Sequence, residues 1–345
     1  MANNSLAVIE SPKVEIITPQ PTWEVRETLH DEIEGQPHPN FIEGPSAAIS
    51  MNDLSTKNII PTFADNSLTI SSPKFIETVR KSAEMVFGMD NVSPAECRVS
   101  HPQIGRIPSA AHKKASELLD SEKTIYYQRL AWISLIIGFN TTINGQEISL
   151  TIGGTRSYSE DKLYARQNPQ HFRLFIGFRC RVCSNLLLTC DGVSENLLCM
   201  TEADIFQKAV ELFQRFAAVK EQTVAGLEAL TQTRLSQEQF CQILGRMRLY
   251  QALPVAETKQ LPKVLLGDSV INAATREYIT NPNFGSQTED GSISMWQFMN
   301  LLNEAAKNSY IDLFAERNAN CTDIAIGLSQ ALKTNSREGW GWFLG

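Results

Sequence analysis

Four cysteines stand close together in the middle of the chain, Cys180, Cys183, Cys190 and Cys199, and the first two have the C-x-x-C spacing used by zinc and redox sites. They lie in or just after the stretch His171–Gly192, HFRLFIGFRCRVCSNLLLTCDG, which is the densest β-type segment of the sequence. On a regular strand, residues three apart face opposite sides, so the pair could not share a metal without a bend between them. The remaining gaps match no standard zinc site, and a redox pair would sit at a helix N-terminus, where the dipole lowers a thiol pKa. Free cysteines in such a setting read as small apolar core residues. His101 and His112 have ligand spacing neither to each other nor to a carboxylate. No metal and no cofactor is expected.

The arginines are the more informative residues. Between Arg156 and Arg181 fall six basic residues against only Glu160 and Asp161, interleaved with Tyr158, Tyr164, His171 and Phe175. Cations track phosphates and rings stack on bases, so such a mixture on a sheet surface suits single-stranded nucleic acid. The candidate contacts are Arg156, Tyr158, Arg166, Arg173, Phe175, Arg179 and Arg181. The competing reading is an ordinary solvated sheet face neutralised by acids from helices.

A second set lies near the C-terminus. Trp296, Asn300, Asn303, Lys307 and Tyr310 recur every three or four residues and share one helical side. Such a row is either a packed polar seam or the wall of a ligand pocket between sheet and helices, lined by His101, Arg106, Asn300, Asn303 and Lys307. No Ser/His/Asp, Cys/His or paired-carboxylate arrangement is close in sequence, so no reaction is assigned. Gly153-Gly154 lacks the rest of a phosphate-loop motif and reads as the end of a strand.

The elements that must position these residues follow from periodicity. Residues 1–58 are rich in Pro, Asn, Ser and Glu and read as a mostly disordered arm, with short pieces such as Phe41–Ile42 able to dock. Ser72-Pro73 opens a helix whose apolar residues run from Phe75 to Val86, with Gly88 as the stop. Cys97–Pro108 reads as a strand and loop, followed by a helix over 109–119. Tyr126–Phe139 is a strand, Asn144-Gly145 a hairpin turn, and Glu147–Ile152 alternates as a strand with one solvated face. In the central stretch Phe172, Leu174, Ile176 and Phe178 share a face, a bend follows at 181–184, and a second apolar run ends at Asp191-Gly192. Beyond it, Thr201 and Ser236 head capping boxes for helices to about Leu230 and Tyr250. Further helices are expected after Asp268, over 294–317 and over 322–332, and the aromatic tail 340–344 should dock. The expected fold is α+β: a mainly antiparallel sheet from the middle third (95–195) covered by C-terminal helices (200–335), in one domain over 59–345.

The 345 residues carry a net charge of −7. Residues 1–60 hold nine acids against Lys13, Arg26 and Lys57, a balance of −6, so the rest of the chain is near neutral at −1. The acidity belongs to the arm and says nothing against an anionic ligand on the body. No apolar run approaches the roughly 18–20 residues that span a bilayer, and no secretory leader is recognised, so a cytoplasmic protein without membrane association is expected.

Several long blocks carry a resemblance: IIPTFADNSLTIS (59–71), CRVSHPQIGRIPSA (97–110), EKTIYYQRLAW (122–132), LTIGGTRSY (150–158), FIGFRCRVCSNLLLTCDG (175–192), LSQEQFCQILGRMRLYQALP (235–254) and MWQFMNLLNEAAKNSYIDLF (295–314). With these the chain resembles an uncharacterised full-length family of Bacteroides-type bacteria. It is more distantly similar to phage- and plasmid-like proteins of unknown function through Arg181-Val182-Cys183-Ser184-Asn185. The resemblance implies a passenger of mobile elements, a setting rich in replication and transfer factors. The strand–hairpin–strand–helix order of 126–230 also resembles the core of single-strand annealing proteins, an analogy of topology alone.

Overall fold

The computed structural model describes residues 40–56, 70–157 and 169–345. Its strands are β1 (Ser46–Ile49), β2 (Glu96–Ser100), β3 (Gln103–Arg106), β4 (Lys123–Tyr127), β5 (Arg129–Ile143), β6 (Gln146–Ser157), β7 (Gln170–Cys180), β8 (Leu186–Leu187), β9 (Val193–Cys199), β10 (Arg234–Leu235) and β11 (Ile293–Ser294). The helices are α1 (Met51–Thr56), α2 (Ser72–Phe87), α3 (Glu202–Ala229), α4 (Gln237–Ala252), α5 (Val255–Thr258), α6 (Asp268–Thr280), α7 (Met295–Ala306) and α8 (Ile311–Thr334). This is an α+β protein. Seven strands form one antiparallel sheet in the order β1-β2-β5-β6-β7, with β8 and β9 both pairing the outer edge of β7.

The hairpin of β5 and β6 turns at Asn144 and Gly145, whose φ values of 51° and 75° are the left-handed pair that such two-residue turns require. The alternation in Glu147–Ile152 does not mark a solvated face, because β6 is buried on both sides from Ile148 onward. On one side α2 and α3 bring Phe75, Phe87, Phe213 and Phe216 against Trp132, Phe139, Phe172 and Phe178. On the other, Ile311, Phe314, Ala315 and Ala319 of α8 join Phe41 and Ile42 over Ala131, Ile133, Phe175 and Leu188. The covering elements come from opposite ends of the sequence, so a local pattern could not show them.

Gly153 and Gly154 do not end β6; the strand runs through them to Ser157. They are small because of what crosses them. A Cβ on Gly154 would sit 2.7 Å from the Phe75 ring and 2.8 Å from Arg173 O, and one on Gly153 would strike the Phe175 ring and Trp132 O. The helix expected over 109–119 is replaced by short 3-10 turns between β3 and β4. That segment is largely exposed and buries no apolar stripe to hold a helix. Residues 40–56, counted with the arm from sequence, are part of the fold: β1 pairs β2, and Phe41 and Ile42 are buried.

The capping boxes form as read, Thr201 with Asp204 and Ser236 with Gln239, and Ser294 with Gln297 makes a third. At the first helix the cap is Ser71, with Ser72 and Pro73 inside the first turn. The helix expected over 294–317 breaks at Lys307–Tyr310, and its second half joins 322–332 as one helix, α8. The break is held by residues 43–44, whose N–H groups both donate to Lys307 O at 2.9 Å. Val193–Cys199 forms an edge strand, β9, where the sequence showed none. The tail docks, with Phe343 buried against Tyr250, Trp340 and Trp342.

Candidate ligand-binding cleft

Helix α8 presents Glu316, Ala319, Asn320 and Asp323 at intervals of three and four, so they share one side of the helix. That side looks across a cavity of about 390 Å³ toward Cys190 and Val193 at the start of β9 and toward Lys263 and Leu265 before α6. Each wall is pinned. Asn320 is buried and uses its whole amide on the 263–265 segment, accepting from Leu265 N and donating to Lys263 O, both at 2.8 Å. Glu316 pairs with Arg173 Nε of β7 at 3.5 Å. Trp340 closes one end, and Gly327 is what lets it lie on α8, since any Cβ there would strike the indole.

Asp323 is the unusual member. It is half-buried, and among the described residues it has no hydrogen bond and no ion pair. Burial, and after it the negative charge of Asp191, pushes its carboxyl up to about 6. A half-buried carboxylate with a raised pKa, in a cleft with an aromatic wall, is the kind of group that marks functional sites. Cys190 sits exposed at the rim, its thiol raised by burial and by Asp323 and Asp191. Sequence reading missed this cleft. The i, i+3, i+4, i+7 pattern of Glu316, Ala319, Asn320 and Asp323 was available, but its other walls come from residues 190, 263 and 340.

The residues read from sequence as nucleic-acid contacts are dispersed. Arg156 is 1% exposed, lies over the Phe172 ring and donates to Ile70 O and to Gln170 Oε1 (2.7 Å). Phe175 is 0% exposed in the core beneath α8, so its ring offers no face to a base. Arg173 is buried with Glu316, and Arg179 pairs with Glu96 at 2.9 Å and donates to Ser184 Oγ at 3.0 Å. Arg181 alone of the described set stays well exposed, paired with an equally exposed Glu147 at 3.2 Å. Tyr158 and Arg166 lie outside the described residues.

Trp296, Asn300, Asn303 and Lys307 of the C-terminal polar row are packed rather than pocket-lining, whereas Tyr310 at its end is exposed. Asn185 Nδ2 donates to Asn300 Oδ1 and to Asn300 O, both at 3.2 Å, and Asn300 donates to Trp296 O. Lys307, 1% exposed, donates to Cys183 O and to both oxygens of Glu304 (3.0 and 2.9 Å). Asn303 is fully buried, with neither amide atom hydrogen-bonded to protein. The Arg181–Asn185 stretch is therefore the turn through which the sheet grips α7, and its left-handed Ser184 (φ 59°) supplies the bend expected there. Cys180 and Cys183 are buried beside it, whereas Cys190 and Cys241 are exposed. Arg106 lies on the β3–β4 hairpin, where it donates to Lys113 O. His101 does line a concavity, a groove of about 200 Å³ with Gln103, Tyr127, Arg129, Ser309 and Tyr310.

With a curled antiparallel sheet between two helical layers, the molecule is of the α+β class. The family model described as "Domain of unknown function, B. Theta Gene description (DUF3871)" matches residues 25–344, and the chain belongs to that family. No curated protein and no solved structure matches it significantly. Among the described residues no helix is long and apolar enough to cross a membrane.

Proposed function

We propose that the protein binds a small organic ligand in the cleft between α8 and the start of β9. The observation that carries this is Asp323: a carboxylate with no hydrogen bond and no ion pair among the described residues, half-buried in a concavity of about 390 Å³ where Asn320 and Glu316 are already paired. Volumes of roughly 300–1,000 Å³ with a few placed polar groups are typical of small-molecule sites. The test is a ligand-observed NMR screen with a mixed-charge fragment library on the wild type and on Cys190→Trp. Cys190 is exposed, so the indole fills the cleft from its rim without touching the core. Hits that disappear in Cys190→Trp support the reading; a screen with no hit sensitive to that change removes it.

A second reading keeps single-stranded nucleic acid as the partner and moves it to the groove at His101. There Arg129 lies 5.3 Å from the Tyr127 ring centroid and 5.6 Å from that of Tyr310, with Asp312 at 3.3 Å from its Nε. Tyr310 is 58% exposed and free to stack. We infer a mobile-element setting from the resemblance of Arg181–Asn185 to phage- and plasmid-like proteins, and that setting favours this reading. Fluorescence anisotropy with single-stranded DNA and RNA at low ionic strength checks it. Salt-sensitive binding that weakens in Tyr310→Ala supports it, and its absence sinks it.

A further inference from the structure

The charges around the cleft are not balanced, and the imbalance names a ligand class. From α8 come Glu316 and Asp323; from the turn before β9 come Asp191 and Cys190; from the segment before α6 comes Lys263; from β7 comes Arg173. Arg173 is committed to Glu316. Lys263 is exposed at the rim and forms no ion pair with Asp323. No cation of the described chain therefore answers Asp323, while Asp191 adds repulsion. A carboxylate held partly out of water is stabilised by pairing or protonation, so a cation from outside would fill a role that no described residue supplies.

Two observations choose among cations. Among the described residues no three His, Cys, Asp or Glu side chains gather closely enough to enclose a metal ion. Apart from Asn320, whose amide is spent on residues 263 and 265, the rest of the wall is apolar: Val193, Leu265, Ala319 and the Trp340 ring. An indole attracts a cation through its ring face and an alkyl group through its area. We propose that the cleft takes an organic ammonium ion, its charge on Asp323 and its apolar body against Trp340. This rests on the reading of the cleft as a ligand site and adds the chemistry of the ligand.

The experiment is isothermal titration of the full chain with hexylamine, hexanol and hexanoate, three probes of one length and different charge. At pH 7.5 hexylamine should bind at least tenfold more tightly than the other two. Asp323→Asn should lose at least tenfold in hexylamine affinity while unfolding at no lower temperature than the wild type, which separates lost binding from misfolding. Affinity for the amine should also fall as pH drops below about 6, because the proton competes for Asp323. Equal binding of the three probes, abolished by Cys190→Trp, overturns the cation assignment and leaves the cleft standing. No binding of any probe that Cys190→Trp abolishes overturns the assignment and counts against the cleft as well.

Discussion

Asp323 and Lys307 are two charges held away from water in opposite ways. Lys307 has a full set of acceptors, and Glu304 beside it is raised by burial and lowered by the lysine. Removing the lysine strands the acid, so Lys307→Met should cost about 3–5 kcal/mol in urea unfolding, with much of the loss recovered in Lys307→Met/Glu304→Gln. Asp323 has no partner among the described residues, and its folded-state carboxyl rises from 3.8 to about 6. The folded protein therefore binds that proton more tightly than the unfolded chain. The associated stability is present below about pH 4 and is lost as pH rises through about 6. Asp323→Asn should accordingly stabilise the protein at pH 7–8, on the order of 1 kcal/mol after solvent screening, and give no gain at pH 4. Chemical denaturation at the two pH values checks the sign.

Helix α8 lines both candidate sites and packs on the sheet whose central strand is β6, and both elements depend on close approach. On β6 the glycines let the Phe75 and Phe175 rings pack against the backbone from opposite faces. Gly154→Ala should cost about 1–3 kcal/mol through forced displacement of the Phe75 ring or the β7 backbone. The Ser236 cap accepts from Gln239 N at 3.2 Å, so Ser236→Ala should cost about 1 kcal/mol, a difference thermal unfolding resolves. Capping boxes and the Asn144-Gly145 turn were readable in advance because their physics is contained in four neighbouring residues. The break between α7 and α8 was not readable. Helical periodicity continues across residues 307–310, and the turn is stabilised by N–H groups from residues 43 and 44.

Across the molecule, the last seven residues tie the helical part together and form the end of the cleft. Phe343 is buried among Tyr250, Trp340 and Trp342, and Arg246 donates to Trp342 O at 2.8 Å. Phe343→Ala should cost about 3–5 kcal/mol and loosen Trp340, so ligand binding in the cleft should weaken along with stability. Titration of the variant at a temperature where it remains folded, judged by circular dichroism, checks the coupling.

The α+β class, the hairpin, the helix starts and the apolar face of β7 are properties of short stretches, and they were legible in the order of residues. Side-chain alternation could place Arg173, Phe175 and Arg179 on one face of β7, but not say what covers it. Phe41, Ile42 and α8 bury that face from both ends of the chain, and the arginines meet Glu96 and Glu316 there instead of solvent. The cleft likewise joins positions 190, 263, 323 and 340, brought together only by packing. Local propensity acts over a few residues, whereas burial and charge pairing depend on neighbours that the chain supplies from anywhere along its length.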